Sequence, residues 1–431
     1  RHQMDQEHMM NGSGSSSGHL GAYDTRWQRI IDCVNLKQPD RMPVPLWAFF
    51  WFAKYDGSVT FRDLMYAPQR CVEIVERATL EFDPDMVVPI VTQIGWGATA
   101  DVAGLRTFQW PGHGVGENRP FQYLDKSYMS VEEYDTFLSD PTAFFLKTYM
   151  PRVCGAFEGI ENMPTFTGMS GLRILGALSG FARPEVKTSM LKLIEAGEEA
   201  NRLVTEAKRF AERMKTLGYP VAYGSIVLNP YDTVADYWRG ATNMMKDMFR
   251  HKEKVLEVLE RATIYIEEAA VAGGKAAGNP LVFMPTHWAA DAFMSQKQFE
   301  TFWWPPFRRL LMRLVENDLI PMVLWEHDCD KRLEAIADVP AGKCIYYFER
   351  TENLLKAHEI MGGHVALRGG VSAPTLAKGT PEDVDAEVRT VVEKVWNKGG
   401  KLILDCGIGI PDDAPVENVR AMFAAARNYA S

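Results

Sequence analysis

The chain has 431 residues, 46% of them hydrophobic, enough for one large domain with a substantial core. A net charge of −9 argues against nucleic-acid binding as a main role. No apolar run approaches the ~20 residues of a membrane span, and no apolar core of a secretory signal follows the first basic residues. Six cysteines are too few for a disulfide scaffold, so a reducing, cytoplasmic setting without membrane contact is expected.

Residues 1–21 include the run Asn11-Gly12-Ser13-Gly14-Ser15-Ser16-Ser17-Gly18 and read as a flexible, disordered tail. Residues 22–431 read as one domain, because no linker or shift of composition divides them. In chain order, the candidate strands are Met86–Val91, Thr165–Gly168, Val221–Leu228, Leu281–Met284, Leu319–Trp325, Cys344–Phe348, Val365–Leu367 and Lys401–Leu404. Helical periodicity lies between them, as in Glu185–Leu217 and Met245–Ala272. Thr380-Pro381-Glu382-Asp383 carries the signature of a helix start: a capping hydroxyl, a proline in the first turn, then acids. Strand–helix alternation repeated about eight times predicts an α/β fold, a (β/α)8 TIM barrel with an N-terminal helical extension.

Three residues stand out on this frame. His327 and Cys329 closely follow Leu319–Trp325, and Cys406, 77 residues beyond Cys329, closely follows Lys401–Leu404. C-terminal strand ends are where barrel enzymes carry their active sites. One imidazole and two thiolates would bind zinc with one position open, which points to chemistry rather than to folding alone. The competing reading is that both cysteines are small buried residues, as Cys33, Cys71, Cys154 and Cys344 are taken to be. Two thiolates already offset the charge of Zn²⁺, which favours transfer of an alkyl group to sulfur over activation of water.

Further motifs carry a resemblance. Pro39-Asp40-Arg41-Met42-Pro43-Val44, Met294-Ser295-Gln296-Lys297-Gln298-Phe299 and Cys406-Gly407-Ile408-Gly409-Ile410-Pro411, with Pro415-Val416-Glu417-Asn418-Val419, resemble landmarks of the uroporphyrinogen decarboxylase superfamily. From about Arg26 onward, the chain looks most like the zinc-dependent corrinoid:coenzyme M methyltransferases, which carry His-x-Cys and a distant Cys. The decarboxylases place paired arginines after the Pro-Val segment, but here Trp47-Ala48-Phe49-Phe50-Trp51-Phe52-Ala53-Lys54 follows, with no arginine until Arg62. Thr92 or a neighbour in Pro89-Ile90-Val91-Thr92-Gln93 stands where they need an aspartate.

The resemblance implies a zinc-dependent methyltransferase with metal ligands His327, Cys329 and Cys406, moving a methyl group between a corrinoid and a thiol or other small molecule. Uroporphyrinogen decarboxylation and non-catalytic corrinoid binding are the alternatives. In the methyltransferase branch the resting zinc takes a fourth ligand that substrate displaces. Glu349 is the candidate for that catalytic position, against a surface glutamate beside Arg350. Glu326 and Asp328 flank the ligands, either accepting from the imidazole or solvated. The chain has no Asp-x-His-x-x-Gly motif, so the corrinoid is expected free or on a separate corrinoid protein. His287, Asn229 and Tyr231, with Asp232, follow strands and are candidates for lining the pocket. Trp47, Phe49, Phe50, Trp51 and Phe52, with Trp96, Trp110 and Trp288, read mainly as core. The competing reading is a pocket for a methoxylated ring or a methylated cation.

Overall fold

The computed structural model describes residues 13–92, 94–165 and 170–431. The candidate strand Thr165–Gly168 and Gln93 fall largely or wholly outside the described residues. Two parallel sheets organise the fold. Strands β1 (Pro45–Leu46) and β2 (Met86–Val87) pair with each other. A hairpin-like insertion follows, with β3 (Phe108–Pro111) between β4 (Gly114–Val115) and β5 (Gln122–Tyr123). The main sheet holds β6 (Ser225–Ile226), β7 (Leu281–Thr286), β8 (Ile320–Trp325), β9 (Ile345–Phe348), β10 (Ala366–Val371) and β11 (Leu402–Cys406), in sequential order and all parallel.

Strands β8 to β11 are buried on both faces, which explains why they read as continuous apolar runs. Helices α1 (Ser13–Val34), α2 (Pro184–Leu217), α3 (Lys252–Ala277), α4 (Trp304–Val315), α5 (Thr351–Met361), α6 (Pro381–Lys394) and α7 (Val416–Tyr429) are the longer ones used below. The cap expected at Thr380 is present: its hydroxyl accepts from the Asp383 N–H, and the Asp383 carboxylate accepts from the Thr380 N–H.

Three expectations change. The eight strands do not form one continuous closed ladder. A single bridge, Val87 to Val221, joins the two-stranded sheet to the approach to β6. At the other edge the Leu404 N–H donates to the Pro43 carbonyl at 2.9 Å. The strands involved are short, and Pro43, Pro45 and Pro220 have no N–H to donate to a ladder. Residues 13–21, expected in the tail, form the first turns of α1. Met245–Ala272 is two helices, Ala241–Arg250 and α3, separated at His251, whose backbone (φ −137°, ψ 37°) leaves the helical region.

Candidate functional site

Register places the site. Thr286 pairs with Trp325, and Trp325 with Phe348. The next residues, His287, Glu326 and Glu349, therefore emerge together at the C-terminal edge of β7, β8 and β9. They line a cavity of about 1130 Å³. The other walls are aromatic: Trp47, Phe49 and Phe50 after β1, Phe108, Trp110, Phe121 and Tyr123 from the insertion, then Trp96, Tyr237, Phe283, Trp288 and Phe293. The aromatic run after β1 thus divides, with Trp51 and Phe52 packing into the core.

The polar side of the cavity is a connected cluster. His287 Nδ1 lies 2.5 Å from Asp236 Oδ2, and its Nε2 lies 4.0 Å from Glu326 Oε1. Asp236 also accepts from the indole N–H of Trp288 at 2.6 Å. Beneath it the buried Asp232 accepts from the His287 N–H at 2.6 Å and from the indole of Trp303 at 3.0 Å. Burial raises the Asp232 carboxyl above the ordinary carboxylate range, though the His287 charge opposes the rise. Burial also works against a charged imidazole at His287, but the Asp236 hydrogen bond and the Asp232 and Glu326 charges outweigh it. The His287 pKa rises to about 9. Glu326 is pushed up to about 7, first by burial, with His287 opposing and Glu349 adding to the shift.

The predicted residues meet different fates. His287, His327 and Glu349 line the cavity. His327 sits at φ 59°, a left-handed conformation unusual for a residue with a Cβ. That turn aims its N–H at Glu349 Oε2, 2.5 Å away, and its ring packs edge-on against Phe293. Asn229 and Tyr231 are not among the described residues lining the cavity. Asn229 caps the turn Pro230–Asp232 and donates to Asp232 at 2.5 Å, so it supports the carboxylate that holds the His287 backbone. Tyr231 is buried, its hydroxyl 3.7 Å from the Met248 sulfur.

The expected metal ligands do not converge. Among the described residues, no three His, Cys, Asp or Glu side chains form a group that could hold a metal ion. Asp405 faces the interior, paired at 2.7 Å with Arg368, whose guanidinium lies against Trp47 and Tyr347. Side chains alternate along a strand, so Cys406 turns to the opposite face, near Glu387 on α6. Cys329 is buried beyond β8, with its N–H on Asn353 Oδ1 at 3.2 Å. Burial pushes both thiols far above the usual range. Neither lines the cavity with His327, so this donor set does not fit zinc as it stands.

Sequence reasoning missed Asp236 and Arg332. Asp236 lies four residues after Asp232 in the π-helical segment Thr233–Arg239, and that spacing placed both acids on one side. Arg332 is fully buried and donates to the carbonyls of Ala289, Ala290 and Met294. It thereby ties down the loop that carries Phe293 over the cavity. No local pattern marks it.

A parallel α/β protein with a large cavity at its C-terminal strand ends has the layout of an enzyme. The chain belongs to the uroporphyrinogen decarboxylase (URO-D) family, whose profile matches residues 188–429, more than half of its length. It is 29% identical over 153 residues to the uroporphyrinogen decarboxylase of Synechococcus sp. strain CC9605, covering 35% of this chain and 41% of that one. It is 27% identical over 192 residues to a methylcobamide:CoM methyltransferase of Methanosarcina barkeri, covering 43% and 53%. The chain thus spans about half or less of the length of these two relatives. A methyltransferase from Methanosarcina mazei shares the fold, with a TM-score of 0.59 at 16% identity, over 93% of this chain and 98% of that one. No described helix is long and apolar enough to cross a membrane.

Proposed function

We propose that the protein is a methyltransferase of this family, built on the (β/α)8 plan of its fold neighbours, which moves a methyl group between a corrinoid and a small molecule. One observation carries the choice of branch. Among the described residues lining the cavity there is no lysine or arginine, while Asp236, Glu326, Glu349 and Asp412 all line it. A polycarboxylate tetrapyrrole entering this chamber would meet four acidic side chains with no lysine or arginine to pair with, and the one raised imidazole, His287, is already held by Asp236. A neutral or cationic substrate, or the apolar face of a macrocycle, meets no such penalty. The cavity also exceeds the ~300–1,000 Å³ of ordinary small-ligand sites, which leaves room for more than one reactant.

When bound, a corrinoid supplies the cobalt that accepts or releases the methyl group. A separate corrinoid protein is the natural source, since this chain carries no corrinoid-binding motif. His287, held by Asp236, and the carboxylates of Glu326 and Glu349 are the polar groups that meet the reacting heteroatom of the small molecule. No step is assigned to zinc, because its expected donors do not converge.

The test is to follow the visible spectrum of cobalamin, as methylcobalamin and in its reduced form, against panels of thiols and methyl donors. Uroporphyrinogen turnover is measured alongside. Methyl exchange with at least one small molecule is expected, slowed ~10-fold or more by Glu326→Gln. Uroporphyrinogen turnover without any methyl exchange would overturn the proposal.

A further inference from the structure

We propose that the small molecule is a methylated onium cation, a quaternary ammonium or sulfonium, bound between the Glu326 and Glu349 carboxylates and the rings of Tyr237, Trp288 and Phe293. The balance of charge comes first. Asp236 is already committed to His287 and the Trp288 indole. Among the described residues, no donor lies within hydrogen-bond distance of the Glu326 carboxylate. The nearest cationic group is His287 Nε2 at 4.0 Å. The Glu349 carboxylate accepts from the His327 backbone N–H, and its other near group is His327 Nδ1 at 3.9 Å. Two carboxylates thus face an aromatic chamber with no lysine or arginine to answer them.

The walls decide what kind of cation fits. Metal ions need converging donors, which the described residues do not provide. A hydrogen-bonding cation would find side-chain acceptors mainly at the carboxylates, and its remaining N–H groups would face ring carbon. An onium needs neither. It is large and weakly hydrated, and aromatic faces attract it. Trp288 and Phe293 pack edge to face, 4.9 Å apart at 61°, and line the same cavity as the two carboxylates.

The next step rests on the methyl-transfer reading. The bond from nitrogen or sulfur to the methyl carbon breaks, and its electron pair stays on the heteroatom, which leaves as a neutral amine or thioether. The methyl group passes to a reduced corrinoid as nucleophile. The leaving group is neutral, so the step requires no proton.

Calorimetric titration of the full chain at pH 8 tests the site with two probes of the same shape, choline and its uncharged isostere 3,3-dimethyl-1-butanol. Choline is expected to bind at least ~10-fold more tightly. Trp288→Leu and Glu326→Gln should each weaken choline more than the alcohol and so remove most of that difference. Equal affinities in the unaltered protein, or tighter binding of the alcohol, would overturn the inference even if a variant failed to fold. Binding needs no corrinoid, so the two proposals fail separately. Onium binding without methyl exchange defeats the activity and leaves the site. Methyl exchange with neutral donors alone defeats the site and leaves the activity.

Discussion

His287 shows how one side chain acquires its chemistry from its neighbours. Its backbone N–H is held by Asp232 and its Nδ1 by Asp236, so the free nitrogen, Nε2, faces Glu326. The raised pKa of about 9 makes the imidazole a cation at neutral pH. Asp236→Asn removes the negative partner while keeping an acceptor. The His287 titration midpoint, read by NMR, is expected to fall from about 9 toward the ordinary ~6.5. The linkage follows in sign. A histidine whose folded pKa is raised contributes stability that is fully present below the unfolded pKa and is lost as pH rises through the folded value. Asp236→Asn should therefore destabilise the protein more at pH 6 than at pH 9.5, as measured by urea unfolding. A larger deficit at the higher pH would contradict this assignment of charge.

At the scale of elements, long runs were legible and short ones were not. Strands β8 and β9 and the start of β11 were read from sequence nearly to the residue, because strands buried on both faces leave continuous apolar runs. The two-residue β1 was missed, since Pro45–Leu46 is too short to show any period. So was the insertion from β3 to β5, although it brings Phe108, Trp110, Phe121 and Tyr123 to the cavity. Its strands have at most four residues each and are interrupted by glycine and proline. Loop order likewise depends on contacts that no local pattern reveals. Arg332 fastens three carbonyls between residues 289 and 294 from a position about forty residues away in sequence. Arg332→Ala leaves those carbonyls without their donor and opens a void in a fully buried place. The expected loss is ~3 kcal/mol or more in urea unfolding, with amide exchange accelerated first in the loop carrying Phe293. Uniform acceleration across the sheet would mean that Arg332 supports the whole fold rather than the cavity wall.

For the molecule as a whole, strand-end placement was the dependable guide and residue type was not. His287, His327 and Glu349 lie at one edge because parallel strands present their C-terminal ends together. The spacing of His327, Cys329 and Cys406 said nothing about which face each side chain would occupy, and a strand changes face at every residue. Asp405 is turned inward by its ion pair with Arg368, and that register sends Cys406 outward toward α6. A zinc-binding role for Cys406 beside His327 would therefore require β11 to slip by one residue. The slip would expel Asp405 from its pair and leave the Arg368 charge buried and unanswered, at a cost of several kcal/mol. Cys406→Ser separates the two possibilities. The outward, fully buried setting predicts a stability loss of ~1–3 kcal/mol from burying a hydroxyl there, and no change in metal content measured on protein purified without chelator. A stoichiometric zinc ion that disappears in the Ser variant would show that the strand end adopts the inward register when metal is present.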